Sequence, residues 1–258
     1  MTDDDTYIHP PSLLSVLSHL SPTKPHYIGN PISTADSPIR FAHGGSGIIF
    51  SHSALSQIFS RSDLVQEVKR TSLDALYGDK VLAQLSMKAG IHVNEYLGVH
   101  FNYEPPTQSM LTVDNGCEVV VNFHRVATPA AQLAIHKLLN LINTPITWWD
   151  IWNLFGRGVG DEKMRLREGW NYVGHIELPI PRFTVESFAE CKALCVGSKS
   201  RCLAWEWDSV DRECRISPWV IVGFEAKGKF SGVNFEEVTK LVDDCSDRRK
   251  MNAGRTVI

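Results

Sequence analysis

No apolar run in this 258-residue sequence approaches the roughly 20 residues that a membrane-spanning helix needs. The start carries neither the basic n-region nor the apolar h-region of a signal peptide. The sequence as it stands therefore reads as soluble, with no address of its own. An excess of positive charge is missing too: 26 Lys and Arg face 29 Asp and Glu, a net charge of −3. That balance gives no support for a nucleic-acid or anionic-membrane surface. No internal repeat is visible. Gly156, Gly158 and Gly160 lack a preceding strand and the right spacing, so they are not a dinucleotide fingerprint.

What is present is ordinary globular composition, 43% hydrophobic, enough for one large domain or two smaller ones. Cysteine is unevenly spread. Cys117 and Cys245 stand apart, while Cys191, Cys195, Cys202 and Cys214 share one short segment. Such a cluster means disulfides in an oxidising compartment or zinc in a reducing one. Zinc sites pair cysteines closely at both ends. Cys191 and Cys195 have that spacing, Cys202 and Cys214 do not, and disulfides are the expectation.

Strands alternate with helices through the first 143 residues, which argues for an α/β domain. Pro10 and Pro11 suit a first helical turn, and Leu13, Leu17 and Leu20 follow at helical spacing. "HYIG" is a short strand candidate. "RFAHGGSGIIFS" reads as strand, glycine turn, strand, with a helix near "SALSQIFSR". Asp79 is placed to cap the helix "DKVLAQLSMKAG", and "EVVVNFHRV" reads as a buried strand. Thr128-Pro129 opens the next helix. Residues 144–182, rich in tryptophan and then glycine, read as an irregular connector packed on the first domain by Trp148, Trp149 and Trp152. A second unit, 183–224, runs helix, strand, turn, strand, and 225–258 reads as a tail.

The opening "MTDDDTYIHPPSLLSVL" raises a sharper question. Three aspartates before a helix are usually a solvated acidic tail. In series with "YIGNP", "FAHGGSGIIFS", "YGDKVLAQ" and "NFHRV", however, they follow a recognisable order. Residues 2–140 resemble the Fringe-like and core-1 galactosyltransferase-like β1,3-glycosyltransferases of glycosyltransferase family 31. The resemblance implies a GT-A (Rossmann-like) fold and inverting sugar transfer from a UDP-sugar to a glycan or glycoprotein acceptor. It implies residence in the Golgi lumen as a type II membrane protein, anchored by a segment absent from this sequence.

The resemblance also implies roles. Asp3 and Asp5 match the family's Asp-x-Asp, with Asp5 the more direct metal ligand and Asp4 a donor-side neighbour. His124 matches a late histidine ligand. The expected cofactor is Mn²⁺ or Mg²⁺, hard ions suited to carboxylate and phosphate oxygens. Gly44, Gly45 and Gly47 match the glycine turn beside the donor sugar. Asp79 matches the catalytic base that an inverting transfer needs. The family often places a second acidic residue just before that base, where this sequence has Gly78.

Residues 183–224 resemble a small disulfide-stabilised α+β module of the PAN/apple type. That likeness implies Cys191–Cys214 and Cys195–Cys202 bridges. Trp205 and Trp207 then read either as a sugar platform or, since Leu203, Trp205 and Trp207 alternate, as the buried face of a strand. In the family the Asp-x-Asp follows a nucleotide-binding half, whereas here it begins at residue 3. The expectation is therefore a partial GT-A domain over 1–143 that does not transfer sugar by itself. Two other readings stand beside it: a non-catalytic carbohydrate- or protein-binding remnant acting through the apple-like module, and a cytosolic zinc protein.

Overall fold

The computed structural model describes residues 1–35, 37–156, 164–175, 180–198, 201–241, 243 and 245. Two compact units emerge, Met1–Pro105 with Val119–Ile146, and Pro106–Glu118 with Thr147–Ile258. The architecture is mixed α/β with three disulfides.

The chain opens with β1 (Tyr7–Ile8), α1 (Pro10–Leu17), β2 (Tyr27–Ile28), β3 (Pro31–Thr34) and β4 (Ser37–Ala42). After a 3-10 turn at Gly44–Ser46 come β5 (Ile49–Phe50), α2 (His52–Phe59), α3 (Ser62–Thr71) and α4 (Gly78–Lys88). Then follow β6 (Leu111–Thr112), β7 (Asn122–Phe123), α5 (Pro129–Leu139) and α6 (Trp148–Phe155). The remaining elements are β8 (Arg167–Asn171), β9 (Arg182–Thr184), α7 (Phe188–Val196), β10 (Ala204–Asp208), β11 (Glu213–Ser217), β12 (Trp219–Val220) and β13 (Phe224–Val233).

In the first unit the strands form three short antiparallel ladders, β1–β7, β2–β5 and β3–β4. Helices and short strands share its core. Ala54 and Ile58 of α2, Leu64 of α3, and Ala83 and Leu85 of α4 close around Tyr27, Phe41 and Ile48. Tyr27 is fully buried, stacks on Phe50 at 4.5 Å, and accepts the Ala42 amide at its hydroxyl. Burial pushes its pKa up to about 12. A second cluster sets α1 against Ile28, Phe101 and Val121, with Leu13, Leu17 and Leu20 at its margin. His9, 2% exposed, precedes α1. Its ring bonds the Ser12 hydroxyl at 2.9 Å and the Ile142 carbonyl at 3.3 Å. α5 begins as expected, with the Thr128 hydroxyl accepting the Ala131 amide.

Strand, glycine turn and strand follow one another as expected, with β4 paired to β3 and β5 to β2. Two expectations for this unit are corrected. Only Asn122–Phe123 of "EVVVNFHRV" forms a strand. Asp79 does not cap α4, since the N-cap position is Tyr77 and Asp79 lies inside the first turn.

The second unit is built on a five-stranded antiparallel sheet in the order β8-β13-β10-β11-β9. Residues 225–233, expected as the start of a tail, belong to strand β13 in that sheet, which is paired on both sides. The expected irregular connector holds two regular elements. Its helix α6 starts with a capping box in which the Thr147 hydroxyl accepts the Asp150 amide and the Asp150 carboxylate accepts the Thr147 amide. Trp152 is 1% exposed and donates its indole N–H to the Ile221 carbonyl at 3.2 Å, within this same unit.

One face of the sheet packs on α7. Cys191 and Cys195 lie one helical turn apart and bond to Cys214 and Cys202 respectively. Those are the two expected pairs. The third bridge joins Cys117 to Cys245. Trp205, 1% exposed, fills the space between the bridges, and Trp207 lies among Phe188, Phe230 and Val185. A sugar platform at Trp205 is thereby excluded, because its ring is core. The opposite face buries the Glu206 carboxylate against Arg215 and Lys229.

Candidate functional site

Asp3, Asp5 and His124 come together in the first unit. Each offers one ligand atom, and these atoms all lie within 4.8 Å of one another. The ladder register does this: Tyr7 faces Phe123 and Ile8 faces Asn122, so the residues leaving the ladder's end are Asp5 and Thr6 on one side and His124 on the other. The Val126 amide then donates to the Asp5 carbonyl at 2.8 Å, continuing the contact. Between them Arg125 takes φ 58°, a left-handed conformation costly for a residue with a side chain. Its guanidinium lies 3.2 Å from Glu104. Burial raises the Glu104 carboxyl's pKa, and Arg125 offsets part of that.

The His124 ring is oriented by its surroundings. Asn122, fully buried, accepts the Asn102 amide at 2.9 Å and donates to the Asn102 carbonyl at 2.6 Å. This holds the next residue, Tyr103, so that its carbonyl meets His124 Nδ1 at 3.2 Å. A carbonyl only accepts, so Nδ1 carries the proton and Nε2 presents a lone pair. Nε2 lies 3.3 Å from Asp5 Oδ1, with the two side chains 12% and 30% exposed. Asp5 Oδ1 itself is buried and has no hydrogen-bond partner.

A divalent cation fits this arrangement. An imidazole lone pair 3.3 Å from a buried carboxylate oxygen that has no hydrogen-bond partner is repulsive without a positive charge between them. Two carboxylates and one imidazole are an acceptable donor set for Mn²⁺, and the backbone carbonyl behind the histidine is the usual outer support of a metal-bound ring. Asp4 stays outside the group. It is exposed, and its backbone carbonyl accepts the Gln132 side-chain amide at 2.7 Å.

The glycine turn lies against this cluster. A Cβ on Gly45 would fall 2.3 Å from the His124 ring, so only glycine lets the ring approach. The Gly45 carbonyl accepts the Thr6 hydroxyl at 2.5 Å, tying the turn to the aspartate segment. Gly47 has φ 90° and runs beside Thr2. Asp79 holds the neighbouring glycine: its Oδ2 accepts the Gly44 amide at 2.9 Å and its Oδ1 the Lys80 amide at 2.8 Å. Consecutive Cα atoms are about 3.8 Å apart, so Asp79 and His124 flank a single dipeptide.

Sequence reasoning passed over four participants here: His43, which precedes the turn, the Tyr103 carbonyl, the strained Arg125, and its partner Glu104. His43 stood next to a glycine run, a signal that was visible. A backbone carbonyl and a positive φ leave no trace in residue type.

Residues 1–105 match the family model described as Fringe-like. That is a glycosyltransferase family, so the match supports a transferase at a coarse level. It covers Asp3, Asp5, the glycine turn and Asp79, and stops short of His124. Comparison with curated proteins and with solved structures finds no match. Among the described residues no helix is long and apolar enough to cross a membrane.

Proposed function

We propose that the first unit is the cation- and donor-binding part of an inverting β1,3-glycosyltransferase. The donor is a UDP-sugar, the sugar galactose, N-acetylglucosamine or glucose, and the acceptor a glycan or glycoprotein. Galactose transfer to N-acetylgalactosamine is the reading nearest to the family resemblance. The observation that carries it is the pairing of Asp79 and His124 across Gly44 and Gly45. A carboxylate suited to proton abstraction and a carboxylate–imidazole cluster suited to a cation thus share one glycine turn.

Asp3, Asp5 and His124 would hold Mn²⁺ or Mg²⁺, which neutralises the diphosphate as it departs. Gly44 and Gly45 let Asp79 and the His124 ring close on the turn beside which the donor sugar would lie. Asp79, fixed by two amide donors, accepts the proton of the acceptor hydroxyl. That oxygen bonds to the anomeric carbon as the bond to the diphosphate breaks, on the opposite face, which inverts the configuration. Fringe-like proteins are secretory-pathway enzymes, and three disulfides fit an oxidising lumen. Golgi residence is part of the proposal. The second unit is read as apple-like, but Trp205 and Trp207 pack in its core, which weighs against the alternative in which it binds sugar through those two rings.

The test is Asp79→Asn in the full polypeptide carrying this sequence, assayed for UDP release over a panel of UDP-sugars and acceptors. Turnover should fall by roughly 100-fold or more with donor binding nearly kept. Normal turnover by the variant would reduce Asp79 to a support for Gly44. No UDP release by the unaltered protein with any donor would contradict the transferase reading.

A further inference from the structure

His43 stands beside His124, with ring centroids 5.2 Å apart and planes at 64°. The two rings are fixed in opposite tautomers. His124 carries its proton on Nδ1, because its partner there is a carbonyl. At His43 the Ser46 backbone amide donates to Nδ1 at 3.2 Å. An amide N–H only donates, so the neutral His43 ring carries its proton on Nε2. With Nε2 protonated, His43 is no second imidazole ligand for a cation.

What the Nε2–H can do is donate. It makes no hydrogen bond with any described residue. The ring packs edge-on against His124, and His43 immediately precedes Gly44, whose amide Asp79 holds, so it adjoins both the cation side and the base side of the turn. A group arriving there on a cation held by Asp3, Asp5 and His124 is anionic and rich in acceptor oxygens. We propose that His43 is a donor-binding residue whose Nε2–H hydrogen-bonds a phosphate oxygen of the nucleotide sugar's diphosphate. This rests on the donor-site reading above. One histidine then faces the cation with a lone pair, and the next faces the anion with a proton. A neutral donor aimed at oxygens that gain charge as the bond breaks also favours departure of the diphosphate.

The experiment compares the full polypeptide carrying this sequence with its His43→Gln and His43→Phe variants. Mn²⁺ affinity is read by electron paramagnetic resonance, and UDP affinity by calorimetry at saturating Mn²⁺. Glutamine keeps an N–H donor and should bind UDP within about 3-fold of the unaltered protein. Phenylalanine keeps the ring and should bind about 10- to 100-fold more weakly, as expected for a lost hydrogen bond to a charged group. Mn²⁺ affinity without UDP should be the same in all three. A phenylalanine variant that binds UDP normally overturns the assignment, and so does one that loses Mn²⁺ and UDP in parallel. An unaltered protein that binds no Mn²⁺ brings down the donor-site reading itself. Nitrogen-15 NMR of the histidine rings in the unaltered protein checks the premise without a variant: His43 must show Nε2–H and His124 Nδ1–H, and the reverse at His43 overturns the proposal.

Discussion

The two units spend the same kinds of residue in different ways. The first has two- to six-residue strands, no disulfide among its described residues, and a cluster of polar side chains with valences left over. The second has a five-stranded sheet, three disulfides, and tryptophans used as packing. Chemistry resides where side chains are held but not satisfied. Asp5 Oδ1 is such a group, and Trp205 is not, although both looked functional in the sequence.

The covalent half of this contrast gives the largest stability effect. Cys191→Ala with Cys214→Ala opens the bridge from α7 to β11, and thermal unfolding of the second unit should show a loss of about 2–4 kcal/mol. Mn²⁺ affinity should not change. A parallel loss of Mn²⁺ binding would break the separation of roles. Gly45→Ala comes next, since its methyl group must displace the His124 ring. The cost should be about 1–3 kcal/mol in the first unit, with a matching loss of cation affinity. If the variant keeps both stability and affinity, the turn does not seat His124 as described.

The smallest effect is a pH dependence. Burial lowers the pKa of His9 below its ordinary value, so the neutral ring is the native form. Its contribution is complete above the unfolded value of about 6.5 and is lost as pH falls from there through the folded pKa. The midpoint of the first unit's unfolding should decline across that window, and His9→Gln should flatten the slope. An unchanged slope would mean that His9 is not the titrating group.

Some of this was legible beforehand. The order of five motifs points to Asp3, Asp5 and His124, and the resemblance to a PAN/apple-type module implies the two cysteine pairs. The reason the aspartates meet His124 was not legible. It is a two-residue ladder between positions more than a hundred apart in sequence, too short to leave an alternating pattern. The place of Asp79 before a helix suggests a cap, whereas its carboxylate also accepts the distant Gly44 amide. α6 was missed although Thr147 and Asp150 spell a capping box, because tryptophan and glycine content was weighed above it.

The central claim is that Asp5 and His124 hold a divalent cation for a diphosphate. Its most direct test is Mn²⁺ titration followed by electron paramagnetic resonance on the unaltered protein, Asp5→Asn and His124→Ala, each with and without UDP. One bound Mn²⁺ is expected in the unaltered protein, tightened by UDP, with a loss of affinity of about 100-fold or more in each variant, beyond what outer-shell changes cost. Equal Mn²⁺ affinity in all three proteins would contradict it.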